Sequence, residues 1–66
     1  AMVNITIFDM MGKVVRTMLN EEQSAGFKVL QWNGSNNNGQ PVSSGLYIYT
    51  ITTDNFSKTR KMILMK

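Results

Sequence analysis

Four carboxylates, Asp9, Glu21, Glu22 and Asp54, are the residues with which this 66-residue chain would do acid–base chemistry. It has no histidine and no cysteine. Proton transfer in active sites draws most often on His, and a nucleophile needs a base beside it. Ser24, Ser35, Ser43, Ser44 and Ser57 therefore lack an imidazole or thiolate partner. Asp9 and Asp54 fall in separate predicted turns, and Glu21 and Glu22 are neighbours in a polar stretch. No pair is predicted to flank a scissile bond, so the expected protein is not an enzyme and carries no cofactor.

Other ligand chemistries are equally thin. The run Asn33-Gly34-Ser35-Asn36-Asn37-Asn38-Gly39 has the oxygen-and-glycine alternation of a calcium loop, but Asn stands where such loops use Asp. It reads as turn chemistry in which amides bond their own backbone, and no metal ligand is assigned. Lys58, Arg60 and Lys61 lie near Phe56, Tyr47 and Tyr49, an arrangement that can bind single-stranded nucleic acid. Lysines on an edge strand more often block edge-to-edge aggregation, and no nucleic-acid partner is expected. Trp32, Tyr47 and Tyr49 would make a sugar-stacking platform if exposed. Trp32, alternating with Leu30, reads instead as a core anchor, the reading preferred here. The methionines read as adaptable core filler.

Size and composition bound the fold. A chain of 66 residues is one small domain, and ordering it costs roughly 100 kcal/mol of conformational entropy, which apolar burial only about balances. Disulfide and zinc staples are excluded with Cys and His. The chain is therefore expected to be an efficient β-fold, to borrow surface from a second copy, or to be cut from a larger protein, and the last two together are the reading preferred here. The net charge of +3 is modest and spread out. No run approaches the ~20 apolar residues of a membrane-spanning helix.

The pattern is β throughout. Val3-Asn4-Ile5-Thr6-Ile7-Phe8 alternates cleanly, with Val3, Ile5 and Ile7 on one face. Asp9-Met10-Met11-Gly12 turns the chain, with Gly12 at positive φ. Lys13–Leu19 is a second strand of ambiguous facing: Val14/Met18 and Val15/Leu19 are both candidate inward sets. Asn20–Gly26 reads as a loop, and Phe27–Trp32 as a third strand with Leu30 and Trp32 on one face. After the Asn-Gly-Pro loop, residues 46–53 are aromatic, β-branched or Leu at every position. Asp54-Asn55 is a two-residue break whose side chains tolerate positive φ. The return strand carries Lys58, Arg60 and Lys61 into Met62-Ile63-Leu64-Met65-Lys66, which places the last residues in the sheet. Turn signals every eight to twelve residues predict a small immunoglobulin- or fibronectin-like β-sandwich of about five antiparallel strands. Ala1-Met2 is set aside as a cloning remnant, and residues 3–66 form the single domain. Expected core anchors are Ile5, Ile7, Leu30, Trp32, Tyr49, Met62 and Leu64.

The ordered set Val3-x-Ile5-x-Ile7-Phe8-Asp9-x-x-Gly12-Lys13-Val14-Val15, Ser24-Ala25-Gly26, Trp32-Asn33-Gly34, Asn38-Gly39-Gln40-Pro41-Val42-x-Ser44-Gly45-Leu46-Tyr47-x-Tyr49 and Lys61-Met62-x-Leu64-x-Lys66 resembles the C-terminal sorting domain of type IX secretion cargo. That domain is similar to the immunoglobulin-like module of the flagellar hook-capping protein. The resemblance spans residues 3–66. It implies a non-catalytic signal on an exported protein of a Gram-negative bacterium. The cargo would pass through the periplasm, be read by the outer-membrane translocon, and be cut by a surface sortase, ending secreted or on the cell surface. Residues matching the family's signal motifs are Asp9, Gly12, Gly45, Tyr47, Lys61 and Lys66. Two departures stand out. The family's first strand, with an Asn-Pro motif, is not in this sequence, which predicts an uncovered sheet edge open to a homodimer or strand swap. Asn33 stands where the family usually has Asp.

Two other functions compete. A structural immunoglobulin-like accessory module would tolerate residues after Lys66, whereas a terminal signal would not. A carbohydrate-binding module would need Trp32 exposed.

Overall fold

The computed structural model describes residues 2–22 and 32–65. They form an all-β, four-stranded antiparallel sheet: β1 (Met2–Phe8), β2 (Val14–Glu22), β3 (Gly45–Thr52) and β4 (Ser57–Leu64), in the order β2-β1-β3-β4. There is no helix among the described residues. The predicted strand over Phe27–Trp32, with its core anchor Leu30, lies outside the described residues except for Trp32, which is not in a strand.

β1 forms because its β-branched residues alternate, and it occupies the sheet interior. Met2, set aside above, is its first residue and pairs with Glu22. The turn after it is a three-residue hairpin loop. Asp9 and Lys13 close it (Asp9 N to Lys13 O, 2.9 Å), Gly12 N donates to Asp9 O at 3.0 Å, and Gly12 sits at φ 86°. That is a type I turn followed by a left-handed residue, a conformation that favours glycine.

β2 runs to Glu22, so the loop expected from Asn20 starts later. Its facing follows neither predicted set. Register shifts between Ile5 and Thr6, and between Ile7 and Phe8, set two β2 residues against one of β1 at two places. Such bulges break the two-residue alternation. The residues brought onto the core are Val15 and Met18, three apart, while Val14 is half exposed opposite Phe8.

The β3–β4 hairpin is paired from Gly45↔Leu64 to Thr52↔Ser57. Its turn differs from expectation, because no non-glycine residue among those described has positive φ. Thr53 holds it instead: its hydroxyl accepts from Asn55 N (3.2 Å) and Phe56 N (3.3 Å), and its N–H donates to Phe56 O at 2.8 Å. A hydroxyl-mediated turn removes the need for a left-handed residue.

β2 and β3 both run antiparallel to β1, so they are parallel to each other and their connection must cross the sheet. Two residues of that connection, Trp32 and Val42, pack on the inward face. The core there is Ile7, Val15 and Tyr47, with Met18, Tyr49, Met62 and Leu64 partly buried around it. Ile5, an expected anchor, is only partly buried and lies at the margin. The outward face is polar along most of its length. Thr17, Thr6, Thr50 and Thr59 stand in one row across all four strands.

Candidate functional site

The sheet register decides which candidate residues meet. Phe8 pairs with both Val14 and Ile48, Ile48 with Lys61, and Gly45 with Leu64. The β1–β2 turn, the start of β3 and the end of β4 therefore share one end of the sheet. Asp9, Gly12, Gly45, Tyr47 and Lys61 are all at this end. Lys66 lies outside the described residues.

Most of these residues build the backbone. One Asp9 carboxylate oxygen accepts from Met11 N and Lys13 N, each at 2.9 Å. Gly45 has φ 149°, in the region that favours glycine, where β3 begins. Tyr47 is only 6% exposed, and its hydroxyl donates to Ser43 O at 2.7 Å. A tyrosine at a strand start whose OH reaches the backbone a few residues upstream is a tyrosine corner, a device of immunoglobulin-like domains. Its ring meets Trp32 edge-on, with centroids 5.1 Å apart and planes at 77°. The Trp32 indole N–H donates to Ser35 O at 2.8 Å. Rings so arranged share a core and make no flat sugar platform.

The Asn-rich loop repeats the first turn bond for bond. Asn36 N donates to Gln40 O (2.9 Å) and Gly39 N to Asn36 O (3.0 Å), while Asn36 Oδ1 accepts from Asn38 N and Gln40 N, each at 3.0 Å. The shared signature is Asp/Asn-x-x-Gly, visible at Asp9-Met10-Met11-Gly12 and Asn36-Asn37-Asn38-Gly39. The Asn33 side-chain oxygen is likewise engaged by Ser35. These oxygens serve backbone N–H groups, and no group of three Asp, Glu, His or Cys side chains gathers among the described residues.

This loop docks on the outer edge of β2. Asn37 N donates to Val15 O and Asn37 Oδ1 accepts from Thr17 N, both at 3.0 Å. Arg16 donates to Ser35 Oγ (2.8 Å) and Asn36 O (3.0 Å). Sequence reading missed Arg16 and Asn37. The repeated turn signature was the available clue to the loop's shape, though not to where it docks.

What this end of the sheet exposes is apolar. Met11 is 94% exposed, Ile63 69% and Met65 85%, with Met10, Val14 and Leu46 also exposed. Leu46 and Ile63 are directly paired, next to the Ile48–Lys61 pair on the same face. Scattered exposed apolar residues are ordinary, whereas a contiguous set marks a contact surface. The cations divide differently from the basic-aromatic reading. Lys58 and Arg60 stand opposite Ile51 and Tyr49 on the inward-facing side, and Lys61 is on the other face. Asp9 and Asp54 are at opposite ends of the sheet.

An antiparallel all-β sheet, a tyrosine corner and a small aromatic core together define an immunoglobulin-like domain. The chain matches the family model of the FlgD Ig-like domain over residues 1–57 and belongs to that family. No curated protein and no solved structure matches it. No described helix is long and apolar enough to cross a membrane.

Proposed function

We propose that the domain is a non-catalytic sorting signal, read by the outer-membrane type IX translocon of a Gram-negative bacterium and then removed by a surface sortase. The observation that carries this reading is the exposed apolar end of the sheet: Met10, Met11, Val14, Leu46, Ile63 and Met65 beside Lys61. A signal needs an accessible surface on a stable frame, and Asp9, Gly12, Gly45 and Tyr47 supply the frame beneath it. The motif resemblance supplies the class of receptor, and the cargo would end secreted or on the cell surface.

The test is export of a reporter in a host with type IX secretion, with the 66-residue chain fused behind a signal peptide and a fluorescent protein. The expected result is reporter outside the cell. Leu46→Asp with Ile63→Asp should trap it in the periplasm without unfolding the domain. A folded wild-type fusion that stays in the periplasm removes the sorting role and leaves a structural accessory module. Equal export of wild type and double variant means the apolar end is not what is read.

A further inference from the structure

We propose that the outer edge of β4 accepts an extended acidic peptide segment, which joins the sheet as a strand beside β4. The two edges of the sheet differ. β2's edge is engaged by Asn37 and by the Arg16 contacts to the docked loop. β4 ends the strand order, and no described residue bonds to its outer side.

The groups on offer follow from ladder alternation. Thr53 N donates to Phe56 O, so that pair is of the hydrogen-bonded kind. Alternate pairs along the antiparallel ladder share that kind, and the residues between them point N–H and C=O away from the partner. Ser57, Thr59, Lys61 and Ile63 therefore present main-chain donors and acceptors outward. Their side chains are exposed. Strand addition uses such a row for affinity and reads side chains on either face for specificity.

Charge selects the occupant. β4 carries Lys58, Arg60 and Lys61 and no carboxylate. A second copy would pair its own β4 antiparallel about a two-fold axis. Registers centred on residue 58, 59, 60 or 61 set Lys58 on Lys58, Lys58 on Arg60, Arg60 on Arg60 or Lys61 on Lys61. Like charges directly opposite destabilise a strand pair, and opposite charges stabilise it. The cationic half of the edge thus disfavours its own copy and favours Asp or Glu, while a register centred on residue 62 sets no like charges opposite within β4 and is decided by the experiment. Beyond Lys61 the row turns apolar at Ile63, so the segment's matching end carries an apolar residue. This inference rests on the edge alone and stands apart from the sorting reading.

The experiment uses the isotope-labelled 66-residue chain and three synthetic strand peptides of equal length. One alternates Glu with Val and Thr and ends in Ile; the second has Lys for every Glu; the third is the acidic peptide with alternate residues replaced by proline. Amide exchange is followed by NMR. The acidic peptide should slow exchange at Ser57, Thr59, Lys61 and Ile63, lose affinity with salt, and bind at least about tenfold tighter than the lysine peptide. The proline peptide should not protect. The triple variant Lys58→Glu, Arg60→Glu, Lys61→Glu should invert the preference, and its amide spectrum reports whether it is folded. Should it unfold, the three peptides on the wild-type chain still decide. The proposal is overturned by no protection with any peptide, by equal binding of acidic and basic peptides, or by protection elsewhere than β4. Protection at the same amides that grows with protein concentration and needs no peptide would make the occupant a second copy, and overturns it too.

Discussion

Asp9 settles the first turn with a single oxygen that takes two backbone N–H groups. Asp9→Ala leaves both donors without that partner and should cost about 1–2 kcal/mol, whereas Asp9→Asn keeps an acceptor oxygen and should cost less. Thermal unfolding distinguishes them, because each kcal/mol moves the midpoint by about 4–8 °C in a domain of this size. Tyr47→Phe removes only the hydroxyl bond to Ser43 and should cost about 1 kcal/mol. Tyr47→Ala also removes a buried ring from a core that has three buried side chains among the described residues, and should cost about 3–5 kcal/mol. Trp32 emission reports the same packing. It should be blue-shifted in the folded chain relative to the denatured one, and Tyr47→Ala should shift it to the red. Emission that does not change on unfolding would mean that the indole is not held on the core.

At the scale of elements, the loop ending in Pro41 is a structural part, docked through Asn37 and Arg16. Asn37 bonds both a carbonyl and an N–H of β2, as a neighbouring strand would. Asn37→Ala keeps the main-chain bond to Val15 and loses the one from Thr17. It should cost about 1 kcal/mol and raise amide exchange at Thr17 more than in β3. Equal acceleration everywhere would indicate global destabilisation and no local role for the docking. Gly12→Ala places a side chain at φ 86°, and should cost about 1–2 kcal/mol although nothing lies within 4 Å of the added carbon. The penalty is conformational, so Gly12→Asn, which tolerates that region better, should recover part of it.

For the molecule as a whole, one end of the outward sheet face is apolar and the remainder is lined by threonine and asparagine. Leu46→Asp with Ile63→Asp should leave the unfolding midpoint within a few degrees of wild type, since surface substitutions are usually within ±0.5 kcal/mol. The same variant should weaken apolar-dye binding, measured by fluorescence. A large loss of stability would show that those side chains support the sheet and are not spare surface.

Alternation in Val3–Phe8, the β-branched run at 46–53 and the glycine at position 12 carry local physics, and the strands and first turn were legible from them. Period two and positive φ are properties of a few adjacent residues, and no distant contact is needed to read them. The immunoglobulin-like class was legible for the same reason, from the spacing of strands and turns. Bulges were not. Whether Val14 or Val15 faces inward depends on how β2 registers against β1, and that is set by packing Val15 and Met18 on Ile7 and Tyr47. Nor did the turn at Asp54-Asn55 follow its composition, because the Thr53 hydroxyl supplied the bonds that a left-handed residue would have made possible. Among the named site residues, the motif could mark Asp9, Gly45 and Tyr47 but could not say that Asp9 holds a turn and that Tyr47 points into the core. Burial is decided by the strand order β2-β1-β3-β4, a set of long-range pairings that no local pattern encodes. The same order leaves β4 at the edge, with its cations and its outward main-chain groups side by side.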